Sequence, residues 1–252
     1  RRQRQMCIRD RQIEELSVEF IKTGLPIATY FSLSKILWLL RNVDEVNKAK
    51  LDNDLCFGTI DSWLLYKLTG NHVTDVTNAS RTLLMDLHTL NWMEDVINRL
   101  DIPLDSLPSI KPSMFNYGTN EGILKNVPIT AVLGDQQASL FGQNCISSGD
   151  VKNTYGTGCF ALTNTGSDIV HSNNGLLSTV AYQKDGDKPQ YAIEGSVSIA
   201  GAAVQWLRDN LNIIKESSDV EGLAMAEKDN GDVYFVPAFS GLFSPHWDET
   251  AR

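Results

Sequence analysis

The chain has 252 residues, 42% of them hydrophobic and 21% charged, with a formal net charge of −9 at pH 7. That length supports one large domain or two moderate ones around a real apolar core, and the acidic balance argues against a nucleic-acid partner or an anionic membrane surface. The densest apolar run, Ile36-Leu37-Trp38-Leu39-Leu40, is far too short to span a bilayer. Cys7, Cys56, Cys145 and Cys159 are widely spaced, with no C-x-x-C pair and no clustering with histidine. They predict a reduced, cytoplasmic protein.

Residues 1–12 are arginine-rich, carry no apolar signal core, and read as a non-native or disordered tail. Residues 12–23 have helical spacing, with Ile13, Leu16, Phe20 and Ile21 apolar and Gly24 as a stop. Ser32 is the expected cap of a second helix, Leu33 to Arg41. Asp54 to Gly58 reads as a short strand, and Ile60 to Leu68 as a helix ended by Thr69-Gly70. From His72 to Asp101 polar turns alternate with short apolar pieces, and Pro103, Pro108 and Pro112 punctuate a loop-rich connection. After Gly142 strands dominate: a hairpin of Val151 to Tyr155 and Phe160 to Asn164, then Leu176 to Gln183 and Tyr191 to Val197. A helix with a stripe of Ile199, Ala203, Trp206 and Leu207 follows, and Val233 to Phe239 reads as an apolar strand. The natural domain boundary falls at residues 143–150.

Two segments carry chemistry. Gly134-Asp135-Gln136-Gln137 puts a carboxylate at the end of the apolar run Ile129 to Leu133, where a helix-like segment begins. Ligands of open α/β sheets collect at such strand ends. Asn153-Thr154-Tyr155-Gly156-Thr157-Gly158-Cys159-Phe160 sets two strand-like halves around a Gly-Thr-Gly turn, whose N–H groups and hydroxyl suit phosphate oxygens. A carboxylate able to take an alcohol proton, close to a phosphate turn, reads as phosphoryl transfer to a hydroxyl.

These segments have company in Tyr30-Phe31-Ser32, Gly58-Thr59-Ile60-Asp61-Ser62-Trp63-Leu64, Thr77-Asn78-Ala79-Ser80-Arg81-Thr82, Gly201-Ala202-Ala203-Val204-Gln205-Trp206 and Val236-Pro237-Ala238-Phe239-Ser240-Gly241. Together, and in this order, they resemble the FGGY carbohydrate kinase family. The resemblance implies an α/β, actin-like ATPase fold of two ribonuclease-H-like domains, both incomplete. Residues 13–142 would be the C-terminal part of the N-terminal domain, on the glycerol side. Residues 151–252 would be the N-terminal part of the C-terminal domain, on the nucleotide side. The family's N-terminal phosphate hairpin, its Arg-Glu glycerol grip and its Gly-rich adenosine region find no match, so the chain resembles the middle half of such a kinase.

The implied activity is ATP-dependent phosphorylation of glycerol to sn-glycerol 3-phosphate. The alternatives are another FGGY sugar or polyol kinase and a non-catalytic actin-like nucleotide-binding module. ATP with Mg²⁺ would sit in the cleft, with glycerol and ATP/ADP as partners, neither nucleic acid nor membrane, and a homo-oligomer when complete. By resemblance Asp135 is the catalytic base; Tyr30, Asp135, Gln136 and Phe160 bind glycerol; Thr157, Gly201 and Gln205 contact the nucleotide; no residue is assigned to metal. The Asp-Gln-Gln triplet favours glycerol over pentuloses. By residue type alone, Asp135 is a helix N-cap, Thr157 a turn residue, Phe160 a core residue and Tyr30 a half-buried aromatic. Gln205 is then surface polar, Gly201 a close-packing site, and Asp75 with Arg81 a structural pair.

Overall fold

The computed structural model describes residues 13–251 except 14 and 123, so the tail assigned to residues 1–12 lies outside the described residues. Helix α1 (Ser17–Phe20) passes into a 3₁₀ turn (Ile21–Thr23) that ends at Gly24, φ 71°. Gly24 is required there for a second reason: a Cβ would lie 2.6 Å from the carbonyl oxygen of Ser178. Helix α2 (Ser32–Asn42) buries Leu33, Ile36, Leu37 and Leu40, one stripe at helical spacing. Its N-cap is Phe31 in extended conformation; Ser32 is already helical and caps nothing. Helix α3 (Asp44–Leu51) buries no residue.

Asp54 to Gly58 forms no strand. It is fixed by isolated bonds instead, Phe57 N–H to Ser106 O at 2.7 Å and His72 Nε2 to Phe57 O at 2.8 Å, with no strand among the described residues laid alongside to continue a ladder. Helix α4 (Ile60–Thr69) then ends at Gly70, φ 75°, as its turn chemistry requires.

Strands β1 (Val73–Asp75) and β2 (Ser109–Lys111) pair in parallel. Such a pair needs a crossover, here containing helices α5 (Val76–Ala79) and α6 (Glu94–Arg99). Strands β3 (Gly118–Thr119) and β4 (Pro128–Ile129) form a small antiparallel pair. Helix α7 (Asp135–Gly142) leads into the main sheet of β5 (Val151–Tyr155), β6 (Cys159–Gly166), β7 (Leu177–Tyr182) and β8 (Gln190–Val197), antiparallel in the order β5-β6-β8-β7. Helices α8 (Gly201–Asp209) and α9 (Asp219–Ala226) follow. Ile199, placed on the α8 stripe from sequence, precedes the helix. Val233 to Phe239 is not a strand, because no ladder partner lies beside it among the described residues, and Val233, Tyr234 and Val236 stand exposed.

The apolar clusters show how the two ends of the chain meet. Phe20, Phe31, Leu33, Leu84 and Ile97 pack in one cluster that also takes Leu177 from β7. A second joins Val76, Met85 and Leu87 to Val180 and Tyr191. The third sets Leu140 of α7 against Leu162, Ala181 and Ala192. Strand β7 is therefore almost wholly buried, and its outer edge is covered where Ser178 N–H donates to Gly24 O at 2.9 Å.

Candidate active site

The apolar run before Asp135 is extended but pairs as β4 only over Pro128–Ile129; beyond it Val132 N–H reaches Ser113 O at 2.9 Å. Helix α7 begins where Gly134 turns the chain, and Gly134, with φ −60° and ψ 151°, holds the N-cap position. Asp135 is the first helical residue and is exposed, so the capping role suggested by residue type falls to Gly134. A carboxylate on the first turn faces the positive end of the helix dipole, worth roughly 0.3–1 kcal/mol.

A buried polar network fixes that turn. Asp75, fully buried at the end of β1, accepts from the N–H groups of Thr77 (3.0 Å) and Asn78 (2.9 Å) and from Ser113 Oγ (2.7 Å). Burial pushes its pKa up, while these bonds act to lower it. Thr77 Oγ1 donates to Asp75 at 2.8 Å and in turn accepts the N–H of Gly134 at 2.8 Å. The residue before Asp135 is thereby tied to β1.

Asp75 and Arg81 are not a pair. Arg81 Nη2 reaches Glu194 Oε1 of β8 at 3.0 Å, and its guanidinium lies 5.8 Å from the centre of the Phe31 ring. Ser80 and Thr179 of β7 share a hydrogen bond at 2.9 Å, and Gln137 Nε2 donates to the same Thr179 hydroxyl at 3.3 Å. Gln137, the third member of Asp-Gln-Gln, is thus 2% exposed and holds the sheet to α7.

Gln136 is the amide that stays with the carboxylate, donating from Nε2 to Asp135 Oδ2 at 3.0 Å. Its Oε1 accepts from Lys152 Nζ of β5 at 2.5 Å, and the same ammonium reaches Thr154 Oγ1 at 2.9 Å and Phe160 O at 3.4 Å. Phe160 is half-buried, opposite Thr154 and Ser196 in the ladder. The structure therefore brings Asp135, Gln136 and Phe160 together through Lys152, a residue the sequence reading passed over.

On the other side of the hairpin, the Gly156-Thr157-Gly158 turn docks on the start of α8. Gly201 N–H donates to Gly156 O at 2.9 Å, and the N–H groups of Ala200 and Ala202 both point to Thr157 O, at 2.8 and 3.2 Å. Gly156 N–H is used within the turn, on Gly158 O at 2.9 Å. What the turn offers a phosphate is thus led by the exposed Thr157 side chain. Gln205 lies on the exposed surface of α8, one turn beyond Gly201. A Cβ at Gly201 would sit 2.6 Å from Gly156 O, a backbone atom that cannot swing aside. Gly201→Val is expected to destabilise the chain by about 1–3 kcal/mol and to weaken nucleotide binding; a chemical denaturation midpoint and a nucleotide titration check both.

Tyr30 stands elsewhere. Its ring meets Phe31 at 5.3 Å and Phe243 at 5.1 Å, and it lines a cavity of about 420 Å³ with Lys35, Trp38, Phe243, Trp247 and Glu249. Asp135, Gln136 and Phe160 do not line that cavity. Cys56, Cys145 and Cys159 are free thiols.

Among the described residues no three His, Cys, Asp or Glu side chains gather to hold a metal ion. Mg²⁺ asks for less than that, keeping several waters and taking one or two carboxylates plus substrate phosphates. The exposed carboxylate of Asp135 fits such a donor set. No helix among the described residues is long and apolar enough to cross a membrane.

Residues 2–142 match the model of the FGGY family of carbohydrate kinases, N-terminal domain, and residues 151–252 match that of its C-terminal domain. The chain belongs to the FGGY family of carbohydrate kinases. Similar relatives include the glycerol kinase of Brucella anthropi, 59% identical over 92% of this chain and 48% of the relative. The glycerol kinase of Clavibacter michiganensis subsp. michiganensis is 51% identical over 96% of this chain and 50% of the relative.

Among solved structures, the Plasmodium falciparum glycerol kinase with ADP matches with a TM-score of 0.82 and 41% identity, over 98% of this chain and 49% of that one. A ligand-bound xylulose kinase from Lactobacillus acidophilus matches in fold, with a TM-score of 0.80 at 24% identity. The α/β, actin-like ATPase fold expected from the motifs is the family's fold. The chain spans about half the length of the relatives it matches.

Proposed function

We propose that this chain carries the acceptor side and part of the nucleotide side of an ATP-dependent glycerol kinase. The observation that carries the reading is the exposed Asp135 carboxylate at the start of α7, joined to Gln136 and backed by the β5–β6 hairpin, whose turn docks on α8. The glycerol kinases similar to this chain, among them one solved with ADP, support the choice of glycerol and ATP.

In this mechanism a terminal hydroxyl of glycerol lies against Asp135, which orients it and takes its proton as the oxygen attacks the γ-phosphate. The oxygen–phosphorus bond to ADP breaks as the new one forms, and sn-glycerol 3-phosphate leaves. Gln136 binds the acceptor, and Phe160 packs along its carbon chain. Thr157 holds phosphate oxygens on the turn that Gly201 allows to sit against α8, and Gln205 contacts the nucleotide beyond. Tyr30 reaches the same acceptor only if the wall it lines closes on the site, which domain closure in a two-lobed kinase provides. Mg²⁺ would enter on the nucleotide, held mainly by its phosphates and by water, and would supply charge neutralisation. The widely spaced free thiols suit a cytoplasmic setting.

A substrate panel tests the reading. Carried in a polypeptide of the relatives' full length, the chain should phosphorylate glycerol with a kcat/KM at least about tenfold above that for a pentulose or a tetritol, the scale that differences in pocket contacts supply. A pentulose preferred over glycerol would assign it to a sister kinase of the same family.

A further inference from the structure

We infer that Lys152 is a positioning residue of the acceptor site: its ammonium fixes the amide of Gln136, and that amide in turn holds Asp135 ready to receive the acceptor hydroxyl. The inference deepens the reading of Asp135 and Gln136 given above and rests on it.

In β5 the apolar residues point outward, Val151 at 58% exposed and Tyr155 at 81%, while Lys152 faces in at 5%. A lysine kept only for solubility would have taken the outer face, where its charge stays hydrated. Burial pushes the Lys152 pKa down, and the carboxylates of Glu194 and Asp135 act against that push. Its three acceptors, Gln136 Oε1, Thr154 Oγ1 and Phe160 O, belong to the two segments assigned to catalysis and phosphate binding.

What this does to Gln136 follows from donor and acceptor inventory. An ammonium has three donors and no acceptor, so it can take only the carbonyl end of an amide. With Oε1 held by Lys152 at 2.5 Å, the NH₂ end must face the other way, and it meets Asp135 Oδ2 at 3.0 Å. That bond fixes the orientation of the Asp135 carboxylate at the start of α7, and a general base has to be held in position to receive a proton. Without Lys152 the amide is free to turn, and its carbonyl would then oppose the Asp135 carboxylate.

The test uses the full-length polypeptide with the acceptor that the parent phosphorylates fastest. Lys152→Met is expected to lower kcat/KM for that acceptor by about 10–100-fold, the range for removing a group that orients a ligand-binding side chain. The KM for ATP should stay within about twofold of the parent's. Because Lys152 acts through Gln136, adding Gln136→Leu should cost little beyond either single change.

Acceptor kinetics equal to the parent's, an equal loss for ATP, or single losses that multiply in the double variant would overturn the inference. If Lys152→Met does not fold, Lys152→Gln carries the test, since its neutral amide fits the space yet lets Gln136 turn; the same loss is expected. If neither variant folds, Lys152 is a structural residue and the inference falls. A parent that prefers another acceptor ends the glycerol reading while still testing Lys152. A parent inactive on every acceptor ends both.

Discussion

Asp135→Asn is expected to lower kcat by about 10²–10⁴-fold, the contribution of a positioned general base, while the KM for ATP stays within about twofold. The isosteric amide keeps the size of the side chain and cannot take the proton. Little else should change. Asp135 is exposed and is not the cap of α7, so the stability at stake is the dipole contribution of roughly 0.3–1 kcal/mol. A rate loss of 10²-fold already corresponds to about 2.7 kcal/mol of transition-state stabilisation, well beyond that. Steady-state kinetics with a thermal melt of the same preparation separates the two. Turnover equal to the parent's in a folded variant removes Asp135 from the mechanism.

Arg81→Leu is expected to destabilise the fold by about 3–5 kcal/mol, the effect of leaving one partner of a buried ion pair behind. Glu194 is 1% exposed, and among the described residues its carboxylate is bonded by Arg81 Nη2 alone, leaving Glu194 Oε2 and Arg81 Nη1 without a partner. Such a pair is a poor source of stability but a costly one to break. The double change Arg81→Leu with Glu194→Leu should therefore recover most of the loss. The denaturant midpoint reads both, provided the slope of the transition is unchanged. A single variant as stable as the parent would mean that Lys152 alone compensates the Glu194 charge. The pair matters beyond stability, because it fastens the segment after β1 to β8.

Much of this architecture was legible in the sequence because it depends on local chemistry. Gly24 and Gly70 stop their helices at positive φ, where glycine is the unstrained residue, and the β5–β6 hairpin follows from strand-forming runs around Gly-Thr-Gly. Asp54 to Gly58 and Val233 to Phe239 looked equally strand-like, but a strand exists only where a partner lies alongside, and nothing in those residues announces its absence. The site was legible as a set of residues rather than as a geometry. Gly201 N–H donates to Gly156 O and so brings the Thr157 turn to α8, whereas Tyr30 lines a separate cavity with Phe243 and Trp247.

Lys152 and Glu194 were missed for a physical reason. They are opposed to the same residue, Leu162, across three strands, and a charged residue on a strand is read by default as solvent-facing. The available signal was the alternation itself: Val151 and Tyr155 share one face, which leaves Lys152 and Thr154 together on the other. Gln137, beside the acceptor residue Gln136 in sequence, spends its amide on Thr179.

The most direct test of the central claim is transfer of labelled γ-phosphate from ATP to glycerol by the chain carried in a polypeptide of the relatives' full length. The account predicts sn-glycerol 3-phosphate and ADP in equal amounts, with both products lost in Asp135→Asn. ADP formed at a rate indifferent to glycerol, or nucleotide bound with no phosphate transferred, would contradict it and leave a nucleotide-binding module in place of a kinase.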